Sequence, residues 1–357
     1  MRILIAGGGT AGHTWPLRLI AQELLTNPEA KILYLGSRQG IEKEIIQKAG
    51  DIPFKAIIVG KWRAYFSFWN LWDLIKIFLG IIQTFGVIFV FKPMVIFAKG
   101  GYVTFPIIFW AKILKIPLVI HESDSVIGRA NLWAIKFAFK VCLGFPVEFY
   151  QEKLPIEKIV YTGTPVQLVS INPDLKNPRI TILITGGSQG SLKINQIIEE
   201  ILPWLSEKYD IYHLSGEKDY LKFAKLKNDY YHLYKFSYQV PYLIGKSEIV
   251  ISRAGANSLM EIAAMSRPSI IIPLPSAAQN HQLKNALIFE KNKAGIVILE
   301  KDLTPKLLRE KIENLAKDEI LRQSLGQSAH YFFQKDAAQK IIKTVFQAGK
   351  HVKENQT

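Results

Sequence analysis

The sequence has 357 residues, of which 49% are hydrophobic and 21% are charged, so it is long enough for two folded domains and is not intrinsically disordered. Its formal net charge of +15 indicates anionic partners, either phosphorylated compounds or an acidic membrane surface. We expect no nucleic acid, since zinc-finger spacing, RRM-type aromatic motifs and long basic runs are missing. The single cysteine, Cys142, excludes an internal disulfide and suits a reducing cytoplasm, and the sequence predicts neither a metal site nor a signal peptide.

Short apolar segments alternate with helical patterns along the chain, which is typical of α/β domains with parallel sheets. In the first half we predict helices at 16–26, 41–49, 69–91, 106–114 and about 128–138. The strands between them are RILIA, KILYLG, FKAIIV, MVIFA, PLVIH and KVCLGF. After a pause near GTPVQ, the alternation restarts with the strand NPRITILIT and the helix LKINQIIEEILPWL. The later strands are DIYHLSG, HLYKFS, EIVISRAG, PSIIIPLP and AGIVIL.

The pattern predicts two doubly wound α/β domains in succession. The first spans 1–162 and the second 167–335, with a Gly/Pro linker at 163–166. A last helix, 336–350, follows once the second domain is complete, and Asp336 is suited to cap it. We expect this helix to pack back on the first domain.

The most hydrophobic segment is 61–93. Its uncharged run, 77–91, is shorter than the roughly 20 residues that span a bilayer, and it predicts a buried crossover helix. The residues before it interleave aromatic rings with cations, a pattern typical of the lipid headgroup layer. We predict a membrane-surface patch that includes Trp62, Arg63, Phe66, Trp69 and Trp72.

The loop GGGTAGH (7–13) follows the first strand and has the spacing of a dinucleotide fingerprint. Such a site needs an acidic residue about 20 residues further on, at the end of the second strand. Ser37 and Arg38 stand there instead. Because Arg38 is suited to a 2′-phosphate, an NADP site remains an alternative.

Two more glycine-rich turns, KGGYVTFP (99–106) and TGGSQGS (185–191), follow apolar strands and open helices. Backbone amides in such turns bind anions, and a helix N-terminus strengthens that binding. In the second turn Ser188 and Gln189 add side-chain donors. A single turn of this kind is an ordinary connection, whereas three predict a polyphosphate ligand.

Two further segments carry polar side chains at helix starts. In SRAGANSLMEI (252–262), Glu261 is suited to bind ribose hydroxyls, although a helix dipole alone also favours a carboxylate there. In NHQLKNA (280–286), His281, Gln282 and Asn285 are suited to read sugar hydroxyls or simply to cap the helix.

These motifs together carry a family resemblance. GGGTAGHTWP, GGY, HES, GTPV, GGSQGS, SRAGANSLMEI and NHQLKNA occur in the order and at the spacing of the MurG family, and the chain resembles that family from about residue 3 to residue 300. The members are bacterial UDP-N-acetylglucosamine:N-acetylmuramyl-(pentapeptide) pyrophosphoryl-undecaprenol N-acetylglucosamine transferases. The resemblance implies a GT-B fold, with two Rossmann-like doubly wound α/β domains facing across a cleft.

The resemblance also implies an inverting transfer of GlcNAc from UDP-GlcNAc to the 4-hydroxyl of MurNAc in undecaprenyl-pyrophosphoryl-MurNAc-pentapeptide, which converts lipid I to lipid II in peptidoglycan synthesis. The enzyme would lie peripherally on the cytoplasmic face of the cell membrane and would need no cofactor. The implied donor-binding residues are Ser188, Gln189, Phe236, Ser237, Ala256, Asn257, Ser258, Leu259, Glu261, His281, Gln282 and Gln167. The implied loops for the acceptor pyrophosphate contain Thr10, Ala11, Gly12, Gly100, Gly101 and Tyr102.

A general base must take the proton of the attacking hydroxyl. His13 is the first candidate, because the reference pKa of histidine, about 6.5, suits proton transfer near neutrality. Glu122 and Asp124 are the rival candidates, and His13 could instead only hydrogen-bond phosphate.

Four positions depart from the family pattern. Ala11 and Phe105 replace glycines, Asp124 replaces an asparagine and Gln167 replaces an arginine expected to meet phosphate. The rival functions are another GT-B lipid glycosyltransferase, a UDP-sugar epimerase and an NADP-dependent oxidoreductase built on the first loop. The departures at Asp124 and Gln167 also leave open an inactive peripheral membrane protein.

Overall fold

The chain forms two α/β units, each built on its own parallel sheet. The computed structural model describes residues 1–9, 11–38, 40–48, 50, 52–60, 69–151, 153–171, 178–226 and 228–354. Unit 1 comprises Met1–Pro165 and Gln334–Thr357, and unit 2 comprises Val166–Phe333. The division lies within the predicted linker, but residues 334 and 335 belong to unit 1 and not to the second domain, because Gln334 packs against Gly163.

The strands and helices follow one another in the predicted alternation. The strands are β1 (Arg2–Ala6), β2 (Lys31–Ser37), β3 (Phe54–Ile57), β4 (Val95–Ala98), β5 (Leu118–Glu122), β6 (Lys140–Leu143), β7 (Ile159–Tyr161), β8 (Thr181–Thr185), β9 (Asp210–Leu214), β10 (Tyr231–Tyr234), β11 (Ile249–Ser252), β12 (Ser269–Ile271) and β13 (Ile296–Val297). The helices are α1 (Ala11–Leu25), α2 (Ile41–Gln47), α3 (Trp69–Phe91), α4 (Phe105–Ile113), α5 (Arg129–Ile135), α6 (Leu192–Lys208), α7 (Tyr220–Ala224), α8 (Val240–Lys246), α9 (Ala256–Ala264), α10 (His281–Lys291), α11 (Pro305–Lys317), α12 (Glu319–His330) and α13 (Ala337–Glu354).

The sheet of unit 1 has the strand order β3-β2-β1-β4-β5-β6-β7. Its central strands are buried on both faces, which explains their continuous runs of Ile, Leu and Val. The chain reverses its direction of winding between β1 and β4, and doubly wound sheets bind ligands beyond the carboxyl ends of the strands at such a switch point. The loops that follow β1, β4 and β5 therefore lie together at one edge of this sheet.

The last helix, α13, completes the core of unit 1. Ile341, Val345 and Ala348, spaced along one helical face, are fully buried in the same cluster as Leu17 and Ile20 of α1. The helix begins one residue after Asp336 and runs four residues beyond the predicted end.

Helix α3 has the predicted bounds, but the prediction that residues 77–91 are buried is wrong. One face packs on unit 1, where Gln83 Oε1 accepts a hydrogen bond from the Ile58 amide (2.7 Å) and the Ile81 carbonyl accepts one from Trp110 Nε1 (2.8 Å). The opposite face exposes large apolar side chains, namely Trp72, Leu74, Ile75, Phe78, Leu79, Ile82, Phe85, Phe89 and Val90. Among the described residues this is the one helix long and apolar enough to cross a membrane, and only 17% of its most apolar stretch is buried.

The sheet of unit 2 has the strand order β10-β9-β8-β11-β12-β13, so its switch point lies between β8 and β11. Helix α6 covers one face with a run of buried isoleucines and leucines that pack on Ile182, Ile184 and Ile211 of the sheet. The loops after β8 and β11 are thereby placed side by side, since Thr185 at the end of β8 is paired with Ser252 at the end of β11.

Candidate active site

The loop after β8 presents backbone amides at the start of a 17-residue helix. A Cβ at Gly190, where φ is +75°, would lie 2.3 Å from the Ser215 carbonyl oxygen, so only glycine fits there. Ser191 caps α6 by accepting a hydrogen bond from the Ile194 amide (3.3 Å). Ser188 and Gln189 are exposed at the crest. This arrangement is suited to an anion such as a diphosphate.

Arg253, at the end of β11, is a site residue that the sequence motifs did not reveal. The buried guanidinium donates to Ser191 Oγ (2.5 Å) and to the Ile272 carbonyl (3.2 Å), and it forms an ion pair with Glu300 (2.5 Å). It thereby joins the cap of α6 to the segments that follow β12 and β13. The planar guanidinium group of arginine can donate to three partners in different directions, which an ammonium group does less well. In the sequence, a cation directly after a buried strand is the feature that could have indicated this role.

Glu261 lies in the second turn of α9, half-buried, behind Asn257 and Ser258 of the first turn. Burial raises the pKa of its carboxyl group to about 7. No hydrogen bond to this carboxylate is found within the described part of the chain. A partly desolvated carboxylate with no donor among the described residues, on the helix after the strand that pairs with β8, is suited to receive the paired hydroxyls of a ribose.

The segment before α10 is held in an unusual backbone conformation. Gln279 and Asn280 both have positive φ, at +52° and +55°, a backbone conformation that residues other than glycine adopt only rarely. The next residue, His281, donates from Nδ1 to the Ala278 carbonyl (2.7 Å), so Nε2 is left as the acceptor in the neutral ring. Gln282 accepts from the Leu274 amide (3.0 Å), and Asn285 donates to the Ala254 carbonyl (3.1 Å).

The remaining predicted donor residues lie at the same edge of unit 2 or near its beginning. Phe236 and Ser237 are half-buried in the loop after β10, and the Phe236 ring packs edge-on against Tyr238 (5.0 Å between centroids). Ala256 and Leu259 are buried, so only their backbone faces the loop side. Gln167 is exposed at the start of the unit.

In unit 1 the first glycine-rich loop is held by a carboxylate from α2. Glu42 is fully buried, and it accepts hydrogen bonds from the Gly9 amide (3.1 Å), the Ser37 amide (2.9 Å) and Ser37 Oγ (2.5 Å). The Tyr34 hydroxyl donates to the Gly7 carbonyl (2.8 Å). The amide that a dinucleotide pyrophosphate would use is therefore already bound to an anion, and this anion repels a second one.

A dinucleotide site would carry its carboxylate at position 37 or 38, at the end of β2. The carboxylate in this structure belongs instead to Glu42, in the first turn of α2, and it accepts a hydrogen bond from the Ser37 amide. Thr10 lies outside the described residues. The backbone of Ala11 and His13 forms the first turn of α1, while their side chains lie outside the description.

The GGY turn packs directly on the first loop. The Tyr102 ring lies over Gly9, where a Cβ would be 2.5 Å from a ring carbon, and Gly9 has a φ of +89°. Gly100 and Gly101 precede this ring in the turn. Phe105, one of the family departures, stacks on Trp133 of α5 (5.5 Å between centroids).

The two rival carboxylates after β5 have different surroundings. Glu122 is buried and accepts from the Gly128 amide (2.8 Å), Asn131 Nδ2 (2.9 Å) and the Asp124 amide (3.2 Å). Burial, together with the nearby Asp124 charge, raises the pKa of Glu122 to about 7 despite these donors. Asp124 is only half-buried. Glu122 thus holds the HES segment in shape, and Asp124 is the carboxylate nearer to solvent.

Of the predicted membrane patch, Trp62, Arg63 and Phe66 lie outside the described residues. Trp69 begins α3, with its side chain outside the description, and Trp72 is 55% exposed. In the described ranges, no group of three or more His, Cys, Asp or Glu side chains is suited to hold a metal ion.

Comparison with known proteins identifies the family. Residues 3–143 match the family model described as the glycosyltransferase family 28 N-terminal domain, and residues 181–344 match that of the C-terminal domain. The chain is 34% identical to the UDP-N-acetylglucosamine–N-acetylmuramyl-(pentapeptide) pyrophosphoryl-undecaprenol N-acetylglucosamine transferase of Listeria monocytogenes serotype 4a, over 97% of this chain and 99% of the relative. It is 36% identical, at the same coverage, to the transferase numbered 2 of Bacillus cereus.

Among solved structures, the crystal structure of Acinetobacter baumannii MurG matches with a TM-score of 0.75 and 23% identity, over 97% of this chain and 99% of that one. The two α/β units therefore have the GT-B fold. The chain belongs to glycosyltransferase family 28 and, within it, to the MurG family.

The Glu42 network gives a testable expectation. Glu42→Gln replaces an acceptor-only group by one that turns an NH₂ toward the donors of Gly9 and Ser37, so we expect the free energy of unfolding to fall by about 1–3 kcal/mol. Glu44→Gln on the same helix is the matched control, since Glu44 is exposed and its ion pair with Lys48 (2.6 Å) lies at the surface, where the loss of such a pair costs less than about 1 kcal/mol. Urea unfolding measures both. Equal stability of the two variants would show that the network does not hold the loop.

Proposed function

We propose that this protein transfers GlcNAc from UDP-GlcNAc to the 4-hydroxyl of MurNAc in undecaprenyl-pyrophosphoryl-MurNAc-pentapeptide, so that lipid I becomes lipid II in peptidoglycan synthesis. The single observation that carries the proposal is the pairing of the loop after β8 with Glu261. The amides are suited to a diphosphate and the carboxylate to a ribose, which together define a nucleoside diphosphate. The relatives to which the chain is similar are named for this sugar and this acceptor.

Unit 2 binds the donor in this proposal. As the bond between C1 of GlcNAc and the diphosphate breaks, negative charge develops on the departing UDP. The amides of the loop 186–190 and the start of α6 stabilise that charge, with Ser188 and Gln189 as further donors. Arg253 keeps the cap residue of α6 in place. Protein donors thus neutralise the leaving group, and we propose that the reaction needs neither a metal nor a cofactor.

Unit 1 binds the acceptor, whose pyrophosphate faces the start of α1 and the turn after β4, away from the Gly9 amide that Glu42 occupies. The 4-hydroxyl oxygen attacks C1 while the bond to UDP breaks, so the configuration at C1 inverts, and the hydroxyl proton passes to a base. His13, in the first turn of α1, is the base we favour. Asp124 is the alternative, because three donors already hold Glu122 inside the protein.

The occupied Gly9 amide argues against an NADP-dependent oxidoreductase. A pyrophosphate bound there would meet the buried Glu42 carboxylate, whose Oε2 lies 3.1 Å from the same nitrogen. Unit 2 offers a nucleotide loop without such an internal anion among its described residues. A transferase with a different lipid acceptor and a UDP-sugar epimerase would share the donor site with the proposed enzyme, and the product distinguishes them from it.

The transfer itself is the test of this function. Radiolabelled UDP-GlcNAc and a soluble lipid I analogue should give a β-1,4-linked disaccharide product, and His13→Ala should lower kcat by roughly 10²–10⁴-fold if His13 is the base. UDP-GlcNAc binding of this variant, measured by calorimetry, serves as the control and should be unchanged. Labelling of diacylglycerol instead, or epimerised UDP-sugar without transfer, would contradict the proposal.

The raised pKa of Glu261 predicts how donor binding depends on pH. Ribose hydroxyls donate to the charged carboxylate, so UDP affinity should rise as the pH increases through about 7 and then level off. Glu261→Gln should bind UDP about tenfold more weakly, with no pH dependence in this range.

The stability of the same variant provides the control. A carboxyl group whose pKa is raised on folding stabilises the folded state at low pH, and this contribution is lost as the pH rises through about 7. Unliganded Glu261→Gln should therefore be at least as stable as the wild type at pH 8, so that weaker binding cannot be due to unfolding. Unchanged, pH-independent affinity in both proteins would remove Glu261 from the ribose site.

We further propose that the protein lies peripherally on the cytoplasmic face of the cell membrane, with α3 in the plane of the surface. Burial of the exposed apolar face of α3 in lipid would be favourable. The hydrogen bonds at Ile58 and Ile81 hold the opposite face against the rest of unit 1 along the middle of the helix. A helix packed in this way is suited to lie on a bilayer and not to cross it. The net charge of +15 favours anionic lipid.

Charge placed on this face should weaken membrane binding. Phe89→Glu removes a 66% exposed phenylalanine from the apolar face, and we expect at least about tenfold weaker binding to phosphatidylglycerol-containing vesicles in sedimentation. Ile320→Glu is the matched control, because Ile320 is 81% exposed on α12 of unit 2. If both variants bind vesicles as the wild type does, α3 is not the membrane face.

A further inference from the structure

Lys99 is a lysine buried in unit 1 that the proposed reaction does not use. It follows β4 directly, and its amide extends the pairing with β1 by donating to the Ala6 carbonyl (3.0 Å). The side chain is 2% exposed. A buried ammonium is costly unless it is paired and hydrogen-bonded, so its partners define what it does.

One partner lies in the first turn of α1. Lys99 Nζ donates to the Gly12 carbonyl (3.5 Å), the peptide group directly before His13. In a regular helix that carbonyl would accept from the amide of residue 16, but residue 16 is proline and has no N–H. Pro16 thus withdraws the helical donor, and the ammonium supplies one in its place.

The other partner lies after β5. Lys99 Nζ donates to Ser123 Oγ, and Ser123 lies within 3.5 Å of His121 Nδ1. Because His121 Nε2 faces the Gly163 carbonyl (2.9 Å), Nε2 carries the ring proton, and Nδ1 accepts from the serine hydroxyl. The neighbouring carboxylates, Glu122 and Asp124, face the same ammonium and favour its charged form.

We propose that Lys99 is a positioning residue for the acceptor half of the site, tying the first turn of α1 to the segment 121–124. The inference rests on the proposed function for its catalytic consequence. The Lys99 ammonium thereby fixes the position of the turn that carries His13 relative to the segment that carries Glu122 and Asp124.

The charge of this cation depends on pH within the working range. Burial lowers the pKa of Lys99 to about 8, while Glu122 and Asp124 oppose that shift. Lys99 is therefore protonated near neutrality, and it loses its proton as the pH rises through about 8. An enzyme that relies on this ammonium loses kcat above that pH, whereas a variant without it has no such decline.

The test compares Lys99→Met with Lys136→Met, an exposed lysine of the same unit. We expect Lys99→Met to lower kcat by about 10- to 100-fold, to leave the KM for UDP-GlcNAc within about twofold, and to lack the decline above about pH 8. Hydrogen exchange should be faster in the first turn of α1 and in 121–124. Ser123→Ala, which removes a hydroxyl and keeps the charge, is the second variant should Lys99→Met not fold, and it should show the same exchange pattern.

The outcomes separate this inference from the proposed function. Wild-type kcat, pH profile and exchange in a folded Lys99→Met protein, or wild-type exchange in Ser123→Ala, would overturn the positioning role. If the wild type itself transfers no GlcNAc, the proposed function fails and the exchange measurement alone decides. Faster exchange in both segments then supports the tie, and unchanged exchange overturns it.

Discussion

The rest of the structure depends on which anionic group the backbone amides bind at the carboxyl edge of each parallel sheet. Both units place a glycine-rich loop at the switch point of a doubly wound sheet, where amides at a helix start attract an anion. In unit 1 the Gly9 amide already holds the buried carboxylate of Glu42. In unit 2 the crest of the loop at Ser188 and Gln189 is exposed. Two loops of similar spacing therefore differ in the amides that are left for a ligand, and we propose the second for the nucleotide.

The polar groups around these loops divide into those that are engaged inside the protein and those that face a ligand. Arg253, Glu122 and Lys99 are buried and hydrogen-bonded. Arg253 and Lys99 join segments that are distant in sequence, whereas Glu122 holds the turn that follows its own strand. Glu261 has a raised pKa and no protein donor among the described residues. The engaged residues stabilise the loops of each unit, although their burial has a desolvation cost. Glu261 keeps its carboxylate available for a ligand.

Much of the fold could be predicted because its signals are local: apolar strands, glycine turns and the bounds of α3 follow from periodicity. The exposure of α3 could not be predicted, since the sequence pattern of an apolar helix face is the same whether protein or lipid covers it. The strand β7 was missed because three half-buried residues give no pattern. Helix α1 begins at Ala11 and not at Pro16, so the proline lies inside the helix, where the sequence pattern had suggested its first turn. Glu42 and Arg253 act through contacts that span 33 and 62 residues, which sequence spacing does not reveal.

We propose that the nucleotide binds to unit 2, since Glu42 occupies the Gly9 amide in the fingerprint-like loop of unit 1. Hydrogen exchange of the whole protein with and without saturating UDP-GlcNAc measures where the nucleotide binds. We expect protection in 186–191 and 253–261, with the exchange of 7–13 unchanged. Protection of 7–13 without protection of 186–191 would contradict it, and would return the nucleotide to the first loop.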